Sequence, residues 1–258
     1  MNILILGGNG MMGPWVIKAL EGRHRLRITD VNEAPDTPHE YRRLDSSDLD
    51  GVVDAAEGMD AIVNLSVLRP DRQVAFDVNT RGNYNMMAAA TAHGIRRIVN
   101  TGPHFQLAGP TYEDWDFDLN PEMPPQPGTR LYALTKALGQ EIIRVYAERH
   151  DIYAQTLLFY HLYRPDDLFN GPAGGPAGRR GPGEDLVPYS IAWPDAGEAI
   201  RCALELPLGK LPSRCETYFV FTDLPHSKFN NRKARTQLGW NPRYHLEPVW
   251  HKPYASGA

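Results

Sequence analysis

The chain has 258 residues, with 27 Lys and Arg against 31 Asp and Glu, and therefore a formal net charge of −4. This length allows one large domain, and the lack of a basic cluster disfavours nucleic acid as a partner. The chain has no apolar run of membrane-spanning length and no signal-peptide pattern, and Cys202 and Cys215 lack the spacing of zinc ligands, so we expect a cytoplasmic protein with no membrane association and no metal.

Apolar strands alternate with helices over the first 160 residues. Strands are predicted at residues 2–6, 26–29, 40–44, 61–65, 96–101 and 152–159, of which 40–44 is the weakest. Helices are predicted at residues 15–20, 50–57, 72–92 and 130–149. Several strands are apolar at nearly every position, which is typical of strands buried on both faces. The pattern therefore predicts an α/β fold with a doubly wound parallel sheet.

Glycine and proline interrupt this pattern in two places. The segment PEMPPQPG at 121–128 cannot form a helix or a central strand, because proline fixes φ and has no amide hydrogen. The segment GPAGGPAGRRGPG at 171–183 is predicted to be a mobile loop. We expect both segments near the mouth of a substrate site, with a helix near 195–206 and a strand near 217–222 after them.

Three glycines separate the first strand from the first helix. Gly7, Gly10 and Gly13 have the spacing GxxGxxG. Glycine permits a tight turn and close approach of the backbone to a pyrophosphate, and the following helix N-terminus supplies amide groups and a favourable dipole. An acidic residue, Asp30, ends the second strand 17 positions after Gly13. This combination predicts a dinucleotide-binding site.

The cofactor preference depends on Asp30. A carboxylate in this position accepts hydrogen bonds from the adenosine ribose and repels a 2′-phosphate, which favours NAD over NADP. Asp30 could instead be an ordinary turn or helix-capping residue. Arg23, Arg25 and Arg27 also lie close in sequence, where they would suit a 2′-phosphate.

Tyr132 and Lys136 lie four residues apart on the predicted helix 130–149, so they share one face. A phenol has a pKa near 10 and is a poor base at neutral pH. A neighbouring ammonium, together with an oxidised nicotinamide, would stabilise the phenolate. The pair is therefore a candidate acid/base site, and Lys136 is also a candidate to hold the nicotinamide ribose.

Together these motifs resemble the extended short-chain dehydrogenase/reductases of the NAD-dependent epimerase/dehydratase family, with some similarity to uronate dehydrogenase-like members. The resemblance extends over about nine tenths of the chain. Its segments are GGNGMMG at 7–13, LDSSD at 44–48, NLSV at 64–67, VNTRGNYNMM at 78–87, IVNTG at 98–102, LYALTKALGQE at 131–141, WPDAGEAI at 193–200 and ARTQLGW at 234–240.

The resemblance implies a Rossmann domain at residues 1–160 and a small substrate-capping region at 161–258, whose late elements return to the sheet. Asp45 and Ser46 would lie against the adenine, and Asn79 would brace the central helix. The full set of expected cofactor contacts is Gly7, Asn9, Gly10, Met11, Met12, Gly13, Asp30, Asp45, Ser46, Leu65, Ser66, Val67, Asn79, Tyr132, Lys136 and Tyr160.

The chain departs from the family pattern after the fifth strand, where the family usually has a serine that hydrogen-bonds the reacting oxygen. Here the segment reads NTGPHFQLAG at 100–109. Thr101 could supply the hydroxyl, and His104 could donate from its ring instead. We favour Thr101 slightly.

A second departure is FYHLYRP at 159–165, where the family often has an arginine that binds a substrate carboxylate. Phe159 stands near that position. His161 and Arg164 are candidate substrate contacts in this segment. Arg179 and Arg180 are further candidates for an anion, or are simply solvated loop charges.

These residues predict an NAD-dependent oxidoreductase that acts on a secondary alcohol or ketone of a sugar or sugar-like small molecule. An NAD-retaining sugar epimerase is the first alternative, and a non-catalytic NAD sensor is an alternative of another class. A dehydratase ranks lower, because no acidic pair follows Thr101. The resemblance also implies a possible homodimer through helices 72–92 and 130–149.

Overall fold

The computed structural model describes residues 1–108, 121–166, 190–222 and 230–246. Within these ranges a seven-stranded parallel sheet has the strand order β3-β2-β1-β4-β5-β6-β9. Its strands are β1 Asn2–Leu6, β2 Arg25–Asp30, β3 Glu40–Arg43, β4 Ala61–Asn64, β5 Arg97–Pro103, β6 Tyr153–Phe159 and β9 Cys215–Phe219. The predicted doubly wound parallel sheet is confirmed.

Helices cover both faces of this sheet. In the described residues they are α1 Gly13–Leu20, α2 Leu49–Ala56, α3 Arg72–Phe76, α4 Gly82–Ala92, α5 Phe105–Ala108, α6 Leu131–Arg149, α7 Trp193–Glu205 and α8 Arg232–Leu238, with a 3-10 turn at Leu208–Lys210. The single helix predicted at 72–92 differs in detail, because a π-helical turn at Asp77–Arg81 joins α3 to α4. Residues 121–128 form neither helix nor strand, as predicted, whereas 171–183 lies outside the described residues.

The strands have unbroken apolar sequences because their side chains are buried on both faces of the sheet. Ile3 and Ile5 of β1 pack on one face of the sheet, in a cluster that includes residues of α1 and α7. Leu4 and Leu6 pack on the opposite face, in a cluster with residues of α2, α4 and α6. Burial on both faces favours the parallel arrangement, which exposes no strand face to water.

The strand order reverses direction at β1, which pairs with β2 on one side and with β4 on the other. Leu6, the last residue of β1, is level with Thr29 of β2 and with Asn64 of β4. The segments that leave these three strands therefore diverge from a common edge of the sheet. In open α/β sheets the crevice at this point is where ligands bind.

A second, two-stranded parallel sheet was not predicted from the sequence. It consists of β7 His161–Tyr163 and β8 Ser190–Ala192. After β8 the chain returns to the main sheet, where α7 packs against α1 and β9 pairs with β6. The proposed division of the chain at residue 160 stays a prediction.

The described ranges contain neither a membrane-spanning helix nor a cluster of metal-binding side chains. No helix there combines the length and the apolar character needed to cross a bilayer. No three His, Cys, Asp or Glu side chains in the same ranges lie close enough together to hold a metal ion.

Asp195 fastens the C-terminal segment to α7. Its carboxylate is fully buried and accepts hydrogen bonds from the amides of Arg243 and Tyr244, at 2.9 and 3.0 Å. Its backbone carbonyl accepts a third bond from the indole of Trp240, at 3.0 Å. Burial, the largest influence, raises the pKa of Asp195, and the two amides oppose that effect.

We expect Asp195→Ala to lower the free energy of unfolding by about 3 kcal/mol, because it leaves two amides near the core without their acceptor. Urea denaturation measures this change. Asp151→Ala is a matched control, since Asp151 is exposed and pairs with Arg96 at the surface, where such pairs contribute about 1 kcal/mol or less. Equal losses in the two variants would contradict the fastening role.

Candidate functional site

The glycine turn after β1 fits tightly against its surroundings. Gly7 has a φ of +73°, and a Cβ there would lie 2.7 Å from the Cα of Ser66. A Cβ on Gly13 would lie 1.8 Å from the carbonyl oxygen of Gly8. A side chain at either position would displace backbone, so both glycines are required by the geometry of the turn itself.

The turn leads directly into the N-terminus of α1. Met12 is the N-cap residue, and no side chain caps the helix there. The cap position of many helices is occupied by Ser, Thr, Asp or Asn, whose side chain satisfies one of the first amides. The uncapped N-terminus of α1 lies next to the cavity, and the dipole of a helix favours an anion at this end.

Asp30 is mostly buried at the end of β2 and is held in place by three bonds. One carboxylate oxygen accepts a bond from the amide of Asn9 at 3.0 Å, which ties the glycine turn to β2. The other oxygen accepts bonds from the amide and the side chain of Asn32, at 3.2 and 2.8 Å. The carboxylate is therefore fixed in direction before any ligand binds.

A cavity of about 600 Å³ runs along the carboxyl edge of the sheet. Its lining follows the strand order, from the ends of β3 and β2 through β1 and β4 to β5 and β6. The predicted site residues that line it are Gly7, Gly10, Met11, Met12, Asp30, Asp45, Ser46, Leu65, Ser66, Val67, Thr101, Tyr132, Lys136 and Tyr160. The volume lies within the range of about 300–1,000 Å³ that is common for small-molecule sites.

The residues present fit a dinucleotide. The glycine turn places backbone along the middle of the cavity, next to a helix N-terminus, which suits a pyrophosphate. The fixed carboxylate of Asp30 suits a ribose at one end. Tyr132 and Lys136 line the same cavity and suit a reacting group at the other end.

Lys136 is almost fully buried on α6. Its ammonium donates to the carbonyl of Ser66 at 2.9 Å and to the carbonyl of Thr101 at 3.3 Å, so it joins the ends of β4 and β5. Burial, with a smaller contribution from the nearby charge of Arg69, lowers the pKa of Lys136 to about 7. Its charge is therefore sensitive to whatever binds beside it.

Tyr132 lies one helical turn before Lys136. Its ring packs edge-on against Phe105 at 5.6 Å, and the guanidinium carbon of Arg69 lies 4.6 Å from its ring centroid. Burial raises the pKa of Tyr132 to about 12, and Arg69 opposes this through its charge and a hydrogen bond. An ionised Tyr132 consequently needs positive charge close by.

The structure separates the two candidates for the missing serine. Thr101 lines the cavity, and its hydroxyl donates to the carbonyl of Asn64 at 2.9 Å. His104 is fully buried and is not part of the lining. It packs against Tyr160 at 4.7 Å and Phe105 at 5.4 Å, which do line the cavity, so His104 lies one side chain behind the wall. Burial lowers the pKa of His104 to about 3.

Five other predicted residues do not line the cavity: Asn9, Gly13, Asn79, His161 and Arg164. The first two shape the glycine turn. Asn79 is buried, and its side-chain amide donates to the carbonyl of Leu68 at 3.2 Å and to the hydroxyl of Thr135 at 3.1 Å. It thus links the loop after β4 to α6.

Arg69, Phe105 and Trp193 are among the lining residues that the sequence did not predict. Arg69 and Phe105 follow the ends of β4 and β5. The predicted strands could therefore have placed both residues near the crevice. Trp193 begins α7, and the strand pattern alone gave no sign that this helix starts at the cavity.

The fold and the site define a dinucleotide-binding enzyme of the Rossmann type. Residues 3–175 match the NAD dependent epimerase/dehydratase family. The chain belongs to this family, as its motifs predicted, and NAD is the cofactor.

Two of the similar proteins are dehydrogenases of a sugar or a sugar acid. L-arabinose 1-dehydrogenase (NAD(P)(+)) of Haloferax volcanii is 29% identical over 64% of this chain and 69% of its own length. Uronate dehydrogenase of Agrobacterium fabrum is 30% identical over 57% of this chain and 56% of its own length. The chain therefore spans little more than half of the second relative.

A solved structure extends the comparison to nearly the whole fold. A short-chain dehydrogenase/reductase superfamily protein from Agrobacterium tumefaciens, with bound NAD, covers 95% of this chain and 94% of its own, with a TM-score of 0.76. Its sequence identity is 20%. At this level the likeness establishes the fold rather than the substrate.

Proposed function

We propose that this protein oxidises a secondary alcohol of a sugar or sugar-like small molecule, or reduces the corresponding ketone, with NAD. The observation that carries the proposal is that Tyr132 and Lys136 line the same cavity as the glycine turn and Asp30. The two sugar dehydrogenases among the relatives support the substrate class.

In the oxidation direction, the phenolate of Tyr132 would take the proton of the substrate hydroxyl. NAD, when bound, supplies the hydride acceptor. Lys136 would stabilise the phenolate and hold the nicotinamide ribose. Its two carbonyl partners already direct its ammonium to the point where β4 and β5 end.

Thr101 is our proposed donor to the reacting oxygen, because its hydroxyl lies at the cavity wall. To donate there it would exchange its bond to the carbonyl of Asn64 for one to the substrate. His104 would have to leave a buried aromatic environment first. The substrate contacts of His161 and Arg164 stay predictions.

A panel of sugars, sugar acids and polyols tests the proposal. We expect at least one member to give NADH absorbance when it is mixed with enzyme and NAD. An isomerised product without net NADH would replace the proposal with the epimerase alternative. Tight NAD binding with neither product would favour the sensor alternative.

Asp30 predicts the cofactor preference. We expect NAD to bind at least about tenfold more tightly than NADP, because a fixed carboxylate repels the 2′-phosphate. Asp30→Asn should reduce this ratio severalfold while leaving an oxygen that can accept the bond from Asn9. Isothermal titration with both cofactors measures the ratio.

Asp36→Asn is the control for that experiment, since Asp36 is an exposed carboxylate that does not line the cavity. Its ratio should equal that of the unmodified protein. If the unmodified protein binds NADP more tightly than NAD, the assignment of Asp30 to the ribose is wrong.

The homodimer is also a proposal. The described parts of the two helical segments expose four large apolar side chains: Phe76, Tyr84, Leu138 and Val145. Side chains of this kind support a contact with a second copy, as the family resemblance implies. The cytoplasmic location stays a prediction.

A further inference from the structure

Arg69 is a charged residue of the cavity lining that lies beside Tyr132. It lies in the loop after β4, and its guanidinium carbon is 4.6 Å from the ring centroid of Tyr132. Asn79 holds this loop through the carbonyl of Leu68, so the segment that carries Arg69 is anchored to the helical layer.

The charged residues of the cavity lining are divided between its two ends. Asp30 ends β2 and Asp45 follows β3, whereas Arg69 and Lys136 lie around Tyr132. No carboxylate of the described residues forms an ion pair with Arg69. Its positive charge is therefore not neutralised by a described acidic side chain.

The other groups around Tyr132 in the described ranges do not supply an equivalent charge. Phe105, which packs on the phenol ring, is apolar. Tyr160 and His104 lie beyond Phe105, and His104 is neutral at ordinary pH because burial lowers its pKa to about 3. Lys136 is the other cation, and its ammonium donates to two backbone carbonyls.

We propose that Arg69 is a positioning residue for the reaction, whose guanidinium stabilises the ionised phenol of Tyr132 and so lets it accept a proton. The inference rests on the proposed acid/base role of Tyr132. Burial alone disfavours the phenolate. A positive charge at 4–6 Å typically lowers the pKa of an acidic group by roughly 1–3 units. The charge of Arg69 can therefore offset much of the increase that burial causes in the pKa of Tyr132.

Two variants and a control isolate this effect. Arg69→Gln removes the charge and keeps a polar side chain, and Arg69→Lys restores a charge without the planar guanidinium. Arg72→Gln is the control, because Arg72 is exposed on α3 and does not line the cavity. Arg69 and Arg72 are both at exposed positions, so all three variants should fold.

The first measurement does not depend on turnover. The protein is labelled with ring-fluorinated tyrosine, which has a lower intrinsic pKa and titrates where the protein stays folded. Fluorine NMR then follows the Tyr132 signal, identified by its loss in Tyr132→Phe. We expect the pKa of this phenol to rise by about one in Arg69→Gln, to recover partly in Arg69→Lys and to stay unchanged in Arg72→Gln.

The second measurement is the pH profile of kcat/KM for a substrate found in the panel. Arg69→Gln should move the acid limb upward by about one pH unit, so its deficit is about tenfold on that limb and disappears above it. An unchanged Tyr132 titration would overturn the inference. So would a loss of substrate or NAD affinity that is equal at all pH values, since Arg69 would then bind an anionic group instead.

The two proposals fail in different ways. If no substrate is oxidised but the Tyr132 titration still depends on Arg69, the proposed function is wrong and the electrostatic role of Arg69 stands. If a substrate is oxidised and the titration is the same in all variants, the function stands and the role of Arg69 is wrong.

Discussion

Tyr132→Phe should lower kcat by about 10³-fold, in the middle of the range of roughly 10²–10⁴ that a positioned acid/base group contributes. The substitution removes only the hydroxyl, so the ring keeps its contacts with Phe105 and Arg69. NAD affinity should change by less than about threefold, because the substitution leaves the contacts that bind NAD before the reaction in place. Steady-state kinetics with a panel substrate and calorimetric titration with NAD measure the two effects.

Tyr146→Phe is the matched control. Tyr146 lies on the same helix, α6, but contacts Tyr84 instead of the cavity. Its loss of a hydroxyl should leave kcat unchanged. If Tyr132→Phe turns over substrate about as fast as Tyr146→Phe, Tyr132 is not the acid/base group and another group transfers the proton.

Gly7→Ala should weaken NAD binding by about 100-fold, because only glycine lets the backbone turn tightly here and approach the pyrophosphate. The new Cβ would meet the backbone of Ser66 at 2.7 Å, so the loop after β4 must move. That loop supplies a carbonyl to Lys136, and its movement would also disturb the ammonium. Titration with NAD measures the loss of affinity, and urea denaturation measures the effect of the displaced loop on stability.

Gly58→Ala separates this contact from backbone strain. Gly58 has the same φ of +73°, but a Cβ there has no neighbour within 4 Å. Both variants therefore share a conformational cost of roughly 1–2 kcal/mol. NAD affinity should be lost only in Gly7→Ala, and an equal loss in both would show that the close approach to Ser66 is unimportant.

The fold was predictable because its signals are local. Each parallel strand buried on both faces reads as an apolar run, and the glycine turn and Asp30 mark the ends of β1 and β2. Once those strands are adjacent, the carboxyl ends must meet. That geometry brings Asp30 to Asn9 without further information from the sequence.

What the sequence left undetermined depends on contacts between distant segments. β7 and β8 have three residues each and are separated by residues 164–189, so neither carries a periodic signal. Thr101 and His104 were nearly equal candidates, since the strand pattern does not show which side chain faces the crevice. In the structure the histidine is buried against Tyr160, whereas Thr101 lines the cavity.

The π-helical turn at 77–81 lets the helical segment 72–92 present different faces to its neighbours before and after the turn. A π turn is equivalent to one residue inserted into an α-helix, and each residue rotates the helix by about 100°. The buried face of α4, with Met86 and Ala90, therefore need not continue along α3. The helical segment 72–92 can therefore pack against the sheet through α4. In the π turn of the same segment, Asn79 points toward α6 and toward the loop that carries Arg69.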